Sequence, residues 1–472
     1  MKLLEGVAWS AIRGWGSRAI NLAVFFVSAR YLSPADIGVF SLVAAYLLIF
    51  QVLGEGGLAD YIVQRVDNNP RQDSAIFFAQ IATSLSIGAA LAGLSPWVGP
   101  LLIKHPDAAL LFAVTAITVP MAAAVRVPEA LLRKQLRFKA LAMRGLITSA
   151  ISGVVGITLA IKGYGVWALI VKTLVEVTVD GTFVYTASRW RPMLVNRGDR
   201  PLLTGPYAYG KHLLGARLVE TFYQRIDTLL IGHFLGNSAL GFYSVGQKIY
   251  QALIELLSKV FTNVAVPYMA KEKGDSLAVR KVYFDFLNLV SMLAFPIFAY
   301  IFMFARELIL LLFGQVWAES AWILQAFCLL GAVNCVMFFN GPVLVAMGDS
   351  KSYFGLMIQR TVILLVLCVI GLSFGLPGVV AAMVLGGIVI IPLMHRALQP
   401  WIKVSAKDVL RELAQGVLVA LVLGAGVAVL KAALGHYALS TQLILSGGSF
   451  FALLAMIYYT LHRSKNRMAI PR

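Results

Sequence analysis

Tyr31-Leu32-Ser33-Pro34-Ala35-Asp36-Ile37-Gly38-Val39-Phe40-Ser41 is a proline-marked break that leads from one apolar run into the next, and it occurs twice. Phe234-Leu235-Gly236-Asn237-Ser238-Ala239-Leu240-Gly241-Phe242-Tyr243-Ser244 repeats it 203 residues later, with Leu32/Leu235, Gly38/Gly241 and Ser41/Ser244 identical. Each copy sits between two runs of about 20 largely apolar residues, the length that crosses a ~30 Å hydrocarbon layer as a helix. Helices 1–2 therefore recur as helices 7–8. With six helices in the offset, the repeats are parallel and related by an axis along the membrane normal.

Working outward, the same reading gives about fourteen helices, near 7–31, 37–61, 74–97, 108–127, 141–161, 164–188, 208–234, 239–269, 282–304, 320–346, 353–374, 377–398, 409–430 and 439–461. The expected fold is an all-α polytopic membrane protein. Its N-terminal lobe and cytoplasmic linker occupy 1–206, its C-terminal lobe 207–398, and a last helix pair with a basic tail 399–472. Hydrophobic residues make up 59% and charged residues 13% of the chain, and mean hydropathy is +0.81. A soluble domain carries about a quarter charged residues. Strand-period alternation is weak, which argues against a barrel. The first apolar stretch is long and carries Arg13 and Arg18, unlike the short uncharged core of a cleavable leader.

The net charge of +18 has two readings, an anionic partner such as nucleic acid or a set of cytoplasmic loops. Position decides. With the N-terminus inside, 27 of the 40 Lys and Arg fall in inward segments, including Arg126, Arg133, Lys134, Arg137, Lys139 and Arg144 in one expected loop. Outward segments hold Lys104, Lys162, Arg306 and Lys431. That asymmetry fits the positive-inside rule with both termini cytoplasmic and calls for no nucleic acid. Cys328, Cys335 and Cys368 lie in apolar runs without metal-ligand spacing and read as packing residues.

Polar side chains recur where a bilayer penalises them. Helix 1 carries Ser10, Arg13, Ser17 and Asn21 near one face, with Arg18 beside it. Helix 7 carries Arg217, Glu220, Gln224 and Asp227, with Arg225 adjacent. Helix 8 has Ser244, Lys248, Gln251, Glu255, Ser258 and Thr262. Helix 2 has Ser41, Gln51 and Glu55, and helix 6 has Lys172, Glu176 and Asp180 at four-residue steps. One reading is interhelical bonds that lock the bundle, such as Arg217–Glu220 or Lys172–Glu176. The other is a shared hydrated cavity. Its charge leans positive, which suits an anionic substrate, since guanidinium groups take phosphate oxygens bidentately. Enzyme signatures such as Gly-x-Ser-x-Gly or a phosphate-binding loop are missing, so no catalytic residue, metal or cofactor is expected.

Several segments resemble the polysaccharide-transport (Wzx-type) branch of the multidrug/oligosaccharidyl-lipid/polysaccharide exporter superfamily. They are Ala29-Arg30 with the break above, Glu55-Gly56-Gly57-Leu58 with Gln64-Arg65, Leu132-Arg133-Lys134-Gln135-Leu136-Arg137-Phe138, Gly163-Tyr164-Gly165-Val166-Trp167-Ala168-Leu169, and Gln224-Arg225-Ile226-Asp227-Thr228-Leu229-Leu230-Ile231-Gly232. The resemblance implies a flippase of the bacterial inner membrane that moves undecaprenyl-diphosphate-linked oligosaccharide repeat units by alternating access. A polysaccharide polymerase and glycosyltransferases are further candidate partners. On that reading Arg13, Arg18, Arg217, Arg225 and Lys248 meet the diphosphate, and Asn21, Gln224 and Gln251 meet sugar hydroxyls. Glu55, Glu176, Asp180, Glu220, Asp227 and Glu255 gate the lobes or couple an ion. A multidrug-type antiporter for organic cations and a non-transporting scaffold for polysaccharide assembly stand as the alternatives.

Overall fold

The computed structural model describes the backbone of residues 2–272, 275–433 and 439–468; the side chains of 2–15, 197, 259–260, 262–263, 266, 350 and 457–468 lie outside that description. Two compact units make up the chain, Met1–Gly241 and Phe242–Arg472. All regular elements among the described residues are helical.

In the first unit α1 covers Lys2–Ala29 and α2 Pro34–Glu55. Ser33 and Asp36 form a reciprocal capping box at the start of α2, and Pro34 fills its first turn, where its missing N–H costs nothing. The expected helix over 37–61 stops short. Gly56 and Gly57 both take positive φ, 59° and 68°, a conformation that favours glycine, and the chain restarts as α3, Asp60–Gln64. Then come α4 (Pro70–Leu102), α5 (Ala108–Ala116), α6 (Thr118–Lys134), α7 (Phe138–Ile161) and α8 (Val166–Ser188). The expected basic loop around 126–144 shrinks to residues 135–137, with Arg126, Arg133 and Lys134 on α6 and Lys139 and Arg144 on α7. Helix persists there because carboxylates on the same and neighbouring helices neutralise the arginines. A linker leads to α9 (Thr204–Leu230), which ends in a π-turn, and to α10, Asn237–Lys271.

The second unit takes up α10 from Phe242 and adds α11 (Ser276–Met303), α12 (Ala305–Phe313), α13 (Ser320–Met337), α14 (Asn340–Met347), α15 (Ser350–Leu372), α16 (Gly375–Ile402), α17 (Ala406–Ala433) and α18 (Leu439–Met468). α11 and α17 pack closely because Gly416 of α17 has no side chain to meet the Ser291 backbone, 2.6 Å from where a Cβ would lie. The outer face of α17 leaves Leu410, Leu418, Leu421 and Val429 more than 60% exposed. Such a stripe is an aggregation liability in water and ordinary in lipid. The three cysteines are buried and free.

Ten helical segments among the described residues are long and apolar enough to cross a membrane. α8, α9 and α10 are 23, 27 and 35 residues long but too polar for that group, and α1 contributes the apolar stretch Gly16–Ala29. These four are helices 1, 6, 7 and 8 of the sequence reading, each with a polar stripe; the remaining stripe, on helix 2, lies on α2, which is apolar enough to count among the ten. The structure is thus a multi-pass helical membrane fold.

The repeat has a physical counterpart in the first unit. A Cβ on Gly38 would lie 1.8 Å from the Asn237 carbonyl oxygen, and one on Gly241 would lie 1.8 Å from the Pro34 carbonyl oxygen. Under the 203-residue offset Pro34 matches Asn237 and Gly38 matches Gly241. The first turns of α2 and α10 therefore cross backbone to backbone in a reciprocal pair. Nearby, the Asp36 carboxylate accepts from the Ser33 N–H at 3.0 Å and from the Val166 N–H at 3.0 Å, capping α2 and α8 together. Asn237 Nδ2 donates to the Lys104 carbonyl at 2.9 Å, and Trp167 Nε1 to Asp107 at 3.2 Å.

Candidate functional site

At the opposite end of the first unit, charge collects between α2, α6, α7, α8 and α9. Glu55, the last residue of α2, is 5% exposed. It pairs with Arg126 of α6 at 2.5 Å and lies 3.9 Å from Arg217 of α9. Arg217 also reaches Asp60 of α3 at 3.0 Å. One turn along α6, Glu129 is 3% exposed and meets three guanidinium groups: Arg133 at 2.5 Å, Arg144 at 3.1 Å and Arg126 at 3.7 Å. Arg144 in turn makes a two-pronged pair with Asp180 of α8. The result is a ladder, Asp60–Arg217–Glu55–Arg126–Glu129–Arg144–Asp180, that ties six helices together, α3 among them.

Its carboxylates and its arginines face different surroundings. The Glu55 and Glu129 side chains are 7% and 4% exposed, whereas those of Arg126, Arg133 and Arg217 are 41%, 41% and 40% exposed. Buried anions stabilise the guanidinium groups from behind, and their outer edges stay open. That arrangement suits an anion arriving from the open side, met by the guanidinium edges that the carboxylates leave uncovered. Separately, Arg65 is buried with Asp73 at 2.6 Å, and its guanidinium also donates to Gln72 and to the Asn69 carbonyl.

The residues singled out from sequence divide accordingly. Glu55, Arg217 and Asp180 belong to the ladder. Glu176 pairs with Lys172 at 2.7 Å, one of the two same-helix pairs weighed from spacing. In the other weighed pair the partners differ: Arg217 goes to Asp60 and Glu55, while Glu220 accepts from Gln224 at 2.6 Å. Asn21 donates to Ser149 of α7 at 3.1 Å, and Ser17 lies against Gly145, so part of the helix 1 stripe faces α7. Asp227 is 2% exposed and accepts from the Thr228 N–H at 2.7 Å. Arg18 and Arg225 are half-buried on α1 and α9, and Arg225 keeps a buried Nε without a hydrogen-bond partner. Lys248, Gln251 and Glu255 are half-buried on α10 within the second unit. The side chain of Arg13, like those of Lys259 and Thr262, lies outside the described residues.

Sequence reasoning missed Glu129 altogether and placed Arg126 and Arg144 in a loop. The signal was present in part, since Arg126, Glu129 and Arg133 fall at i, i+3 and i+7, one face of a helix. The Arg144–Asp180 pair joins different helices and leaves no such mark.

Comparison with known proteins agrees with this architecture. The chain is 23% identical over 358 residues to the teichuronic acid biosynthesis protein TuaB of Bacillus subtilis, covering 75% of this chain and 73% of that protein. It is 22% identical over 376 residues to the lipopolysaccharide biosynthesis protein WzxC of Escherichia coli, covering 78% and 75%. Among solved structures, the lipid II flippase MurJ in an inward closed conformation superposes with a TM-score of 0.76 over 96% of this chain and 98% of that one, at 14% identity. An inward-facing multidrug-resistance transporter of the MOP superfamily gives 0.64 over 84% and 100%, at 15% identity. These likenesses establish the fold. Residues 27–322 match the family described as polysaccharide biosynthesis protein, and the chain belongs to that family.

Proposed function

We propose that this protein is a flippase that carries polyprenyl-diphosphate-linked oligosaccharide repeat units across the bacterial inner membrane, with both termini cytoplasmic. The observation that carries this reading is Arg217, an open-edged guanidinium held on Glu55 and Asp60 inside a membrane bundle. A diphosphate is the anion such a group takes best, and its lost hydration must be offset within a low-dielectric space. Arg18 and Arg225, with Arg13 and Lys248, add positive charge along the route. Asn21, Gln224 and Gln251 supply hydrogen-bonding groups for sugars.

In this mechanism the substrate's phosphates compete with Glu55 and Asp60 for Arg217. Trading one partner for another changes the relative energy of two conformations, and the substrate shifts the population only through that difference. The lobes at 1–206 and 207–398 rock around the load, the helices of 399–472 flank them, and the polyprenyl tail stays in lipid. Glu176, Asp180, Glu220, Asp227 and Glu255 form or break pairs during the movement.

The test is accumulation of lipid-linked repeat units on the cytoplasmic leaflet of a deletion strain. Wild type is expected to clear them and Arg18→Ala/Arg217→Ala to leave them in place. Unchanged intermediates on deletion would remove the flippase reading. The multidrug-type neighbour keeps a cation antiporter as the second reading; drug-sensitivity growth that depends on Glu55 or Glu255 rather than on the arginines would favour it.

A further inference from the structure

The segment between α8 and α9 is pinned to the first turns of α4 at two places. The Met193 N–H donates to Ser74 Oγ at 3.0 Å, with Trp190 edge-on to Phe77 at 5.3 Å. Farther along, Gln72 Nε2 donates to the Leu202 carbonyl at 2.7 Å. From the first pin to just past the second, residues 194–203 bridge over part of α4 and leave a space against Ala75, Phe78 and Ala79. Under the arch lies a cavity of about 270 Å³, floored by Ala75, Phe78 and Ala79 and walled by Leu194, Val195 and Leu203. Two alanines one turn apart leave the space open.

Floor and rim differ in chemistry. Leu194 is 93% exposed and Phe78 39% exposed, so an apolar floor and an apolar tip face outward together. The rim and its approaches carry Arg189, Arg191 and Arg200, all exposed. The rim carboxylate, Asp199, is engaged by the Asn196 N–H at 2.9 Å. Basic side chains beside exposed apolar ones, at the end of a membrane bundle, form an interfacial segment that binds by apolar burial and by attraction to anionic lipid. The cavity falls just below the ~300–1,000 Å³ of typical ligand pockets. It has room for a stretch of one acyl chain and not for an oligosaccharide.

We infer that this arch is a binding site for an anionic glycerophospholipid, with an acyl segment under residues 194–200 and the headgroup phosphate at Arg191 and Arg200. The site uses no residue of the charge ladder. The lipid would hold the segment between α8 and α9 against α4 at the membrane surface.

The experiment is native mass spectrometry of the full-length protein taken from bilayers of equal phosphatidylglycerol and phosphatidylcholine. Wild type is expected to retain phosphatidylglycerol in clear excess. Arg191→Ala/Arg200→Ala, on exposed positions, should cut that retention about fivefold or more, given the known contribution of each basic residue near an anionic surface. Ala79→Leu, which fills the cavity, should cut it with both arginines in place; Ala79→Val serves instead if Ala79→Leu melts below wild type. Equal retention of the two lipids, or unchanged phosphatidylglycerol retention in either class of variant, overturns the site.

Discussion

Gly38 and Gly241 leave no room for a methyl group, because each faces a carbonyl oxygen 1.8 Å from its would-be Cβ. Backbone has no rotamer to escape into, so the helices themselves must part. Gly38→Ala and Gly241→Ala are each expected to cost about 1–3 kcal/mol or more, read as lower melting temperature and less protein in the membrane. Gly93→Ala, where nothing lies within 4 Å, is the control and should match wild type. Arg65 makes a second contrast. Its side chain is 4% exposed on an equally buried Asp73, so Arg65→Ala strands a charge and should cost about 3–5 kcal/mol. Arg71→Ala on the exposed surface nearby should stay within about 0.5 kcal/mol in the same thermal melts.

Between elements, one carboxylate holds two helix starts. Asp36 caps α2 locally and accepts from the first N–H of α8. Asp36→Ala should cost about 0.5–2 kcal/mol for each uncapped end, with hydrogen exchange quickening at Ser33 and Val166 together. If only α2 loosens, the shared cap is not operating. The capping box closes within the four adjacent residues Ser33-Pro34-Ala35-Asp36, although from sequence that stretch reads only as a break, whereas the link to Val166 lies 130 residues away and has no local signature. Legibility follows the same line elsewhere. Apolar runs, proline breaks and i,i+4 pairs such as Lys172–Glu176 are written in spacing. Gly56-Gly57 could have been read as a stop, yet apolar residues on either side outweighed it. Arg144–Asp180 requires knowing that α7 lies on α8. A double-mutant cycle on Arg144→Ala and Asp180→Ala should give a coupling of about 0.5–3 kcal/mol, since the two form one bidentate unit. Additive losses would reduce the pair to a coincidence of packing.

Across the whole molecule, the ends of the first unit differ in charge. Arg65, Arg133, Lys134, Arg137 and Arg189 gather at one end, and Lys134 and Arg137 there donate to the Asp67 and Ala187 carbonyls. The other end holds Asp36, Asp107 and Asn237 with Lys104. Alkaline phosphatase fused after Lys104 or Lys162 should be active, and fused after Asp67 or Asn196 inactive; the reverse pattern would invert the topology. The reciprocal crossing of α2 and α10 also has a consequence in time. Asn237 is synthesised 199 residues after Gly38, about 10–40 s at ribosomal rates. During that interval the first helices are already in the bilayer, while the groove beside Gly38 waits for a partner still to be translated. A nascent chain paused before residue 237 therefore offers lipid and quality-control proteases a surface that the finished protein covers, and membrane assembly of this fold completes only when the second repeat emerges.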